Sequence, residues 1–246
     1  MQIKIIANIM QASLVATINH QETKLKIRDL LLYALTFSSG AVDAISFLSL
    51  GGVFSAFMTG NIVFLGLRLV GADTPGAVAI AISLAAFASG AYVAAKIVKP
   101  ASVSGLWSQR VTIALGGSLV AHAVFLIIWF AAKGQPSIDI ASVLLGSWGF
   151  AMGMQSAAVR TLHLEGVYTN VMTSTIVILA GHVANRSATV PERWRLAGML
   201  AALFVGVIAG GLLLVHCHLY APVLPFVISL AVVATAAMVL REPSRK

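Results

Sequence analysis

Charge is what this chain has least of. Lys, Arg, Asp and Glu make up 10% of its residues, where a soluble domain carries about 25%. With 59% of its 246 residues hydrophobic and a mean hydropathy of +0.95, it cannot hide its apolar surface in a water-soluble globule. Cysteine is nearly absent as well. Cys217 stands alone, so no intrachain disulfide can form and no cysteine-based metal site is expected. Also missing are G-x-S-x-G, P-loop, H-E-x-x-H and dinucleotide signatures. No enzyme and no cofactor is expected, and without a soluble nucleotide domain an ATP-driven pump is excluded. The scarce charge is lopsided, with 16 Lys and Arg against 8 Asp and Glu. These cations lie almost entirely between and outside the hydrophobic runs, where they orient spans and meet anionic headgroups. The partner they imply is the lipid bilayer, not nucleic acid.

What fills the chain instead is eight apolar segments, at 31–50, 54–71, 76–98, 111–132, 138–157, 168–185, 195–216 and 220–240. About 20 residues suffice to cross the hydrocarbon core. Continuous runs of this length, rich in Ala, Gly and Leu, predict helices; a barrel would alternate over about ten residues. The fold class is therefore an all-α integral membrane protein with eight helical segments, six to eight of them spanning. Residues 1–30 read as a cytoplasmic or interfacial tail, because Asn8, Gln11 and Ser13 spoil a signal-peptide core. Residues 241–246 form a second, basic tail.

The sequence also repeats itself. Residues 44–65, "AISFLSLGGVFSAFMTGNIVFL", align without a gap on 158–179, "AVRTLHLEGVYTNVMTSTIVIL". The ordered pairs Gly52/Gly166, Val53/Val167, Met58/Met172 and Thr59/Thr173 exceed what apolar composition alone would match. With a two-residue gap "LAAFASG" (84–90) falls on "LAALFVG" (200–206). The chain is read as two tandem repeats, 31–132 and 133–240. Their relative direction depends on parity. If all eight segments span, the halves are parallel, and 12 of the 16 cations are cytoplasmic. If segments 2 and 6 are re-entrant, the halves are inverted, and 14 of the 16 are cytoplasmic, all but Arg68 and Lys133. Eighteen helical residues rise about 27 Å, enough to cross, so both topologies stay open here. Both place the termini in the cytoplasm.

The stretch "GAVDAISFLSLGGVFSAFMTGNIVFLG" (40–66) carries a Gly-x-x-Asp, a Gly-Gly and a Met-Thr-Gly-Asn; "GMQSAAVRTL" (153–162) and "MTSTIVILAG" (172–181) follow in the second half. In these motifs the chain resembles the YoaK-like family of bacterial membrane proteins, over nearly its whole length. The resemblance implies a polytopic inner-membrane protein of uncharacterised activity and names no substrate. The family often has Gly after the second Met-Thr, where this chain has Ser174.

Few residues are left to carry chemistry. Asp43 lies in the middle of segment 1. A carboxylate at that depth costs several kcal/mol and faces a cavity or a partner. It is read as a carrier of a proton or a sodium ion, against the alternative of a structural acid held by Arg68 or Arg160. Its repeat equivalent is Ala157, so one such site is expected, not two. In an unbroken helix Thr59 and Asn61 point about 200° apart. They converge on one ligand if the helix yields at Gly60; otherwise they pack helices together. The equivalent stretch is Thr173-Ser174-Thr175. Gln155 and Asn170 are further candidates to line a cavity, and His122 and His182 are weaker candidates for a proton relay. His216-Cys217-His218 diverges by about 100° per residue on a helix and reads as a membrane edge. Ala86, Gly90 and Ala94, Gly149 and Gly153, and Gly206 and Gly210 repeat at four-residue spacing, as helix-contact surfaces do. The functional expectation is a secondary transporter or permease for a small solute, possible coupling ions being the proton and sodium. The alternative is a non-transporting structural or accessory membrane protein.

Overall fold

The computed structural model describes residues 2–98, 106–162, 164, 172–185 and 189–240, and is helical without strands among them. The helices are α1 (Gln2–Ser49), α2 (Met58–Leu69), α3 (Ala77–Val98), α4 (Gln109–Ala131), α5 (Ile138–Arg160), α6 (Met172–Asn185), α7 (Val190–His216) and α8 (Val223–Val239), with a 3-10 turn at His218–Tyr220 before the last. Polar residues set their ends. Ser108 and Ser137 cap α4 and α5 through their hydroxyls. Thr189 and Glu192 form a reciprocal capping box at α7. Gly51 and Gly52 stop α1 at φ +85° and +77°, and the Gly52 amide donates back to the Phe47 carbonyl at 3.0 Å. That left-handed turn suits glycine and reverses the chain.

Among the described residues, five helices or parts of helices are long and apolar enough to cross a membrane: Gln21–Ser49, Ala77–Val98, Gln109–Ala131, Val190–His216 and His218–Val239. At 23 residues α5 is long enough too. By contrast α2 has 12 residues and rises only about 18 Å, well short of a hydrocarbon core of about 30 Å. The first four residues expected in that apolar segment, 54–57, are not helical, since 50–57 runs as turn, bend and irregular chain.

The long helices cross in two matched pairs. α1 packs on α7 and α8, while α5 packs on α3 and α4; α4 meets α8 between them, α2 lies on α3, and α6 lies on α7. α1 and α5 are the inner helices. Of the most apolar window of α1, 72% is buried, against 22% for α3 and for α7. The outward faces of α3, α7 and α8 carry Val78, Tyr92, Phe204, Leu212 and Met238 in the open, as lipid contact requires. Inside are the polar residues Ser38, Ser39, Asn61, Ser83, Ser118, Gln155 and Thr175, all almost fully buried.

Glycine makes the crossings close. A Cβ on Gly206 of α7 would overlap the Phe37 carbonyl of α1, and one on Gly40 of α1 would overlap the Leu203 carbonyl of α7. The other pair meets in the same way: Gly90 of α3 against the Phe150 carbonyl of α5, and Gly153 of α5 against the Phe87 carbonyl of α3. In lipid there is no hydrophobic drive between helices, so this backbone proximity, with Cα–H···O contacts and dispersion, is what binds them. Accordingly, Gly90→Ala and Gly206→Ala should each destabilise the protein by about 1–3 kcal/mol through overpacking. Gly116→Ala and Gly181→Ala meet nothing within 4 Å and should be neutral or stabilising by up to about 1 kcal/mol. Thermal unfolding in detergent reads both.

Candidate functional site

Asp43 sits on α1 two turns before the Gly51-Gly52 stop. Six residues separate it from the helix end at Ser49, which places it roughly 9 Å along the axis. Because the chain reverses at those glycines, residues 53–57 run back beside α1. The carboxylate Oδ1 accepts from the Ser55 amide at 3.0 Å and the Ala56 amide at 2.7 Å. These amides belong to the loop just before the first turn of α2, so an acid on one helix fixes the entry to a short second one. Charge-assisted bonds of this kind contribute about 1.5–3 kcal/mol each and offset much of the cost of a carboxylate at depth. Neither Arg68 nor Arg160 pairs with it. Arg68 donates to the Thr74 carbonyl at 2.8 Å, and among the described residues the one ion pair is Arg28 with Asp29. Among the described residues, then, backbone amides and no cation stand beside Asp43.

Asn61 grips the same loop from the other side. Its Oδ1 accepts from the Phe54 amide at 3.0 Å, and its Nδ2 donates to the Phe54 carbonyl at 2.7 Å, so the side chain pairs with one residue's backbone as a strand neighbour would. Nδ2 also reaches Ser83 Oγ of α3 at 3.4 Å, and that hydroxyl donates to the Phe54 carbonyl at 2.7 Å. The Phe54 ring stacks on Phe47 at 4.8 Å and meets Phe57 edge-on at 5.3 Å. The interruption of the segment is thus at 50–57. α2 runs unbroken across Gly60, where a Cβ would lie 2.6 Å from the Phe57 ring. Gly60 is needed for ring packing on the first turn, and Thr59 is exposed while Asn61 is buried, on opposite sides of the helix.

A groove of about 430 Å³ opens beside the carboxylate. Asp43, Ala44, Phe47, Leu48 and Phe54 line one wall; Val207, Ile208, Gly211 and Leu212 of α7 line the other. It lies between elements of the first and second halves of the chain.

The other candidate residues are placed apart from it. Gln155 is buried on α5 and donates from Nε2 to Ser39 Oγ at 2.9 Å and to the Leu35 carbonyl at 3.3 Å, tying α5 to α1. Thr175, which the alignment of the chain on itself sets against Asn61, is buried on α6, and Thr173 is exposed. Asn170 lies outside the described residues. His122 is buried on α4, its ring edge-on to Trp148 at 6.3 Å, with neither ring nitrogen hydrogen-bonded among the described residues. His182 is on α6, which packs on α7. The two histidines thus belong to different helix groups. No three His, Cys, Asp or Glu among the described residues gather as a metal would need. His218 instead bonds the Gly134 carbonyl at 2.7 Å. Sequence reasoning missed Ser83 and the Phe54 backbone, because a clasp onto main chain leaves no residue-type signal.

The clasp has a measurable consequence. Asn61→Ala leaves the Phe54 amide without its partner, while the carbonyl keeps the Ser83 hydroxyl, at a cost of about 1–3 kcal/mol for the unpaired group. Thr59→Ala, on the exposed side, should stay within about 0.5 kcal/mol. Paired thermal melts in detergent decide this, and equal losses would refute the clasp.

A family model described as a protein of unknown function, DUF1275, matches residues 31–235. The UPF0700 transmembrane protein YoaK of Bacillus subtilis (strain 168) is 33% identical over 159 residues, covering 65% of this chain and 68% of that protein. No solved structure matches. The chain belongs to the DUF1275 family, whose function is not established, and it is similar to a transmembrane protein.

Proposed function

We propose that this member of the DUF1275 family is a secondary transporter or permease for a small solute, with its site between two inverted repeats. The observation that carries the proposal is the discontinuous segment 50–69. Its short helix starts inside the protein, directly after a loop whose Ser55 and Ala56 amides the Asp43 carboxylate holds. Broken segments whose helix ends point at a charged group mark the binding sites of secondary transporters. Here the groove beside Asp43 lies between the two halves, and Asp43 is the coupling group, loading and releasing a proton or a sodium ion.

Three observations support inverted repeats. The crossings of α1 on α7 and of α5 on α3 use the same pairing of glycine with carbonyl. Gly90 and Gly206, and likewise Phe87 and Leu203, are equivalent positions in the aligned "LAAFASG" and "LAALFVG". Short helices, α2 and α6 as described, lie at matching places on α3 and α7. With those two re-entrant, three spans separate equivalents, and the halves run in opposite directions. Both termini then face the cytoplasm, and the protein sits in a bacterial inner membrane with Arg68 and Lys133 on the far side.

One observation favours the other reading, a structural or accessory protein that moves nothing. Asn61 and Gln155 spend their amides on the protein itself. Flux separates the two. Proteoliposomes under a proton or sodium gradient should accumulate a solute from a panel of labelled metabolites, and Asp43→Asn should abolish uptake while remaining monodisperse. If the intact protein moves no solute and Asp43→Asn merely melts earlier, the accessory role stands. Topology has its own test. In a Cys217→Ser background, Ser49→Cys and Ala72→Cys should be labelled from the same side of the membrane. Labelling from opposite sides would mean that the segment crosses.

A further inference from the structure

We infer that the groove between α1 and α7 binds an amphiphilic cation, a compact apolar body carrying one positive charge. The inference deepens the transport reading by naming its solute class, although binding at this site requires no transport. The walls supply the apolar half of the argument. Ala44, Phe47, Leu48, Phe54, Val207, Ile208 and Leu212 offer hydrocarbon and rings without a hydrogen-bonding side chain, so a sugar or an amino acid would leave its polar groups unpaired there. A volume of about 430 Å³ falls in the range of small-molecule sites.

Asp43 supplies the other half. It is the one charged residue of the lining, and the hydrogen bonds it accepts from Ser55 and Ala56 come from neutral backbone amides. Hydrogen bonds satisfy lone pairs but do not cancel a charge, and no Lys, Arg or His lines the groove. A carboxylate in an apolar wall favours a monovalent cation and rejects an anion of the same shape. The aromatic rings of Phe47 and Phe54, stacked beside it, add attraction for a cation with little hydration.

Gly211 allows the groove to be blocked without disturbing the acid. A Cβ there would meet only Leu48 Cδ1, at 4.0 Å, so Gly211→Leu fills the space from a helix that tolerates leucine well. The test is equilibrium dialysis of radiolabelled tetraphenylphosphonium against the purified full chain in detergent, corrected for empty micelles. Tetraphenylborate, of the same shape and opposite charge, is run in parallel. Saturable binding of the phosphonium and none of the borate is expected. Asp43→Asn and Gly211→Leu should each weaken it about tenfold or more. Because Asp43 also holds the loop before α2, Gly211→Leu keeps the test decisive should Asp43→Asn fail to fold. Equal binding of the two ions, no saturable phosphonium binding, or no effect of Gly211→Leu would overturn the inference. Displacement by phosphatidylethanolamine but not phosphatidylglycerol would also overturn it, in favour of a lipid headgroup. Phosphonium binding without flux of any solute would sink the transport reading and leave this site standing.

Discussion

Backbone contact between helices is the constraint on which the rest of this protein depends. Gly206 and Gly40 bring α7 onto α1, and Gly90 and Gly153 bring α3 onto α5, each glycine facing a main-chain carbonyl of the opposite helix. Since lipid tails are as apolar as leucine, helices in a membrane gain little by hiding hydrocarbon from one another. They gain by fitting closely, and here the fit is as close as main chain allows. Those crossings put the inner helices α1 and α5 in place, carry α3 and α7 outward to lipid, and set the wall of α7 that faces Asp43.

Around that frame hydrocarbon lies on both sides. Phe204, Leu212 and Met238 face outward, Trp107, Phe125, Trp129 and Trp148 fill the interior, and Ser83, Asn61 and Gln155 are hidden among them. The hidden groups act mostly on main chain. Asn61 bonds both backbone groups of Phe54, Asp43 takes two amides of the same loop, and Ser118 and Ser147 donate to the Ala151 and Ala121 carbonyls. Such bonds matter because segment 50–57 leaves its own amides and carbonyls outside any helix, and within a bilayer each unpaired one costs several kcal/mol. A loop of irregular backbone at that depth is tolerated because Asp43 and Asn61 serve it from either side.

Much of this was legible in the sequence, and the residues show why. Asp43 stood out because a carboxylate is conspicuous among apolar residues. Gly90, Gly153, Gly206 and Gly210 stood out because four-residue spacing puts them on one helix face, and all four lie where a Cβ would meet a neighbouring backbone. The 200° between Thr59 and Asn61 followed from the helix period alone, and one is exposed and the other buried. The position of the interruption was not legible. Gly60 looked like the weak point, but the chain breaks earlier, at 50–57, where Gly51 and Gly52 turn it and Phe54 is caught by Asn61. Nor was the partner of Asp43 legible: a backbone amide belongs to every residue, so no letter in the sequence marks the one that bonds a carboxylate.

By itself the sequence determined the class and the medium. Its scarcity of charge and its long apolar runs leave lipid as the one solvent in which this chain can fold. Its glycine spacing determined which helix faces are bare enough to touch. Tertiary structure alone decided which of those faces meet, since α3 passes over α2 and α4 to pack most closely on α5, and α7 packs most closely on α1, at the far end of the chain. It also decided that Asp43 holds the loop before α2 and forms part of a groove. The reason is physical. Composition and periodicity are sums over neighbours in the chain, whereas a carbonyl opposite a glycine, or an amide opposite a carboxylate, depends on distance in space.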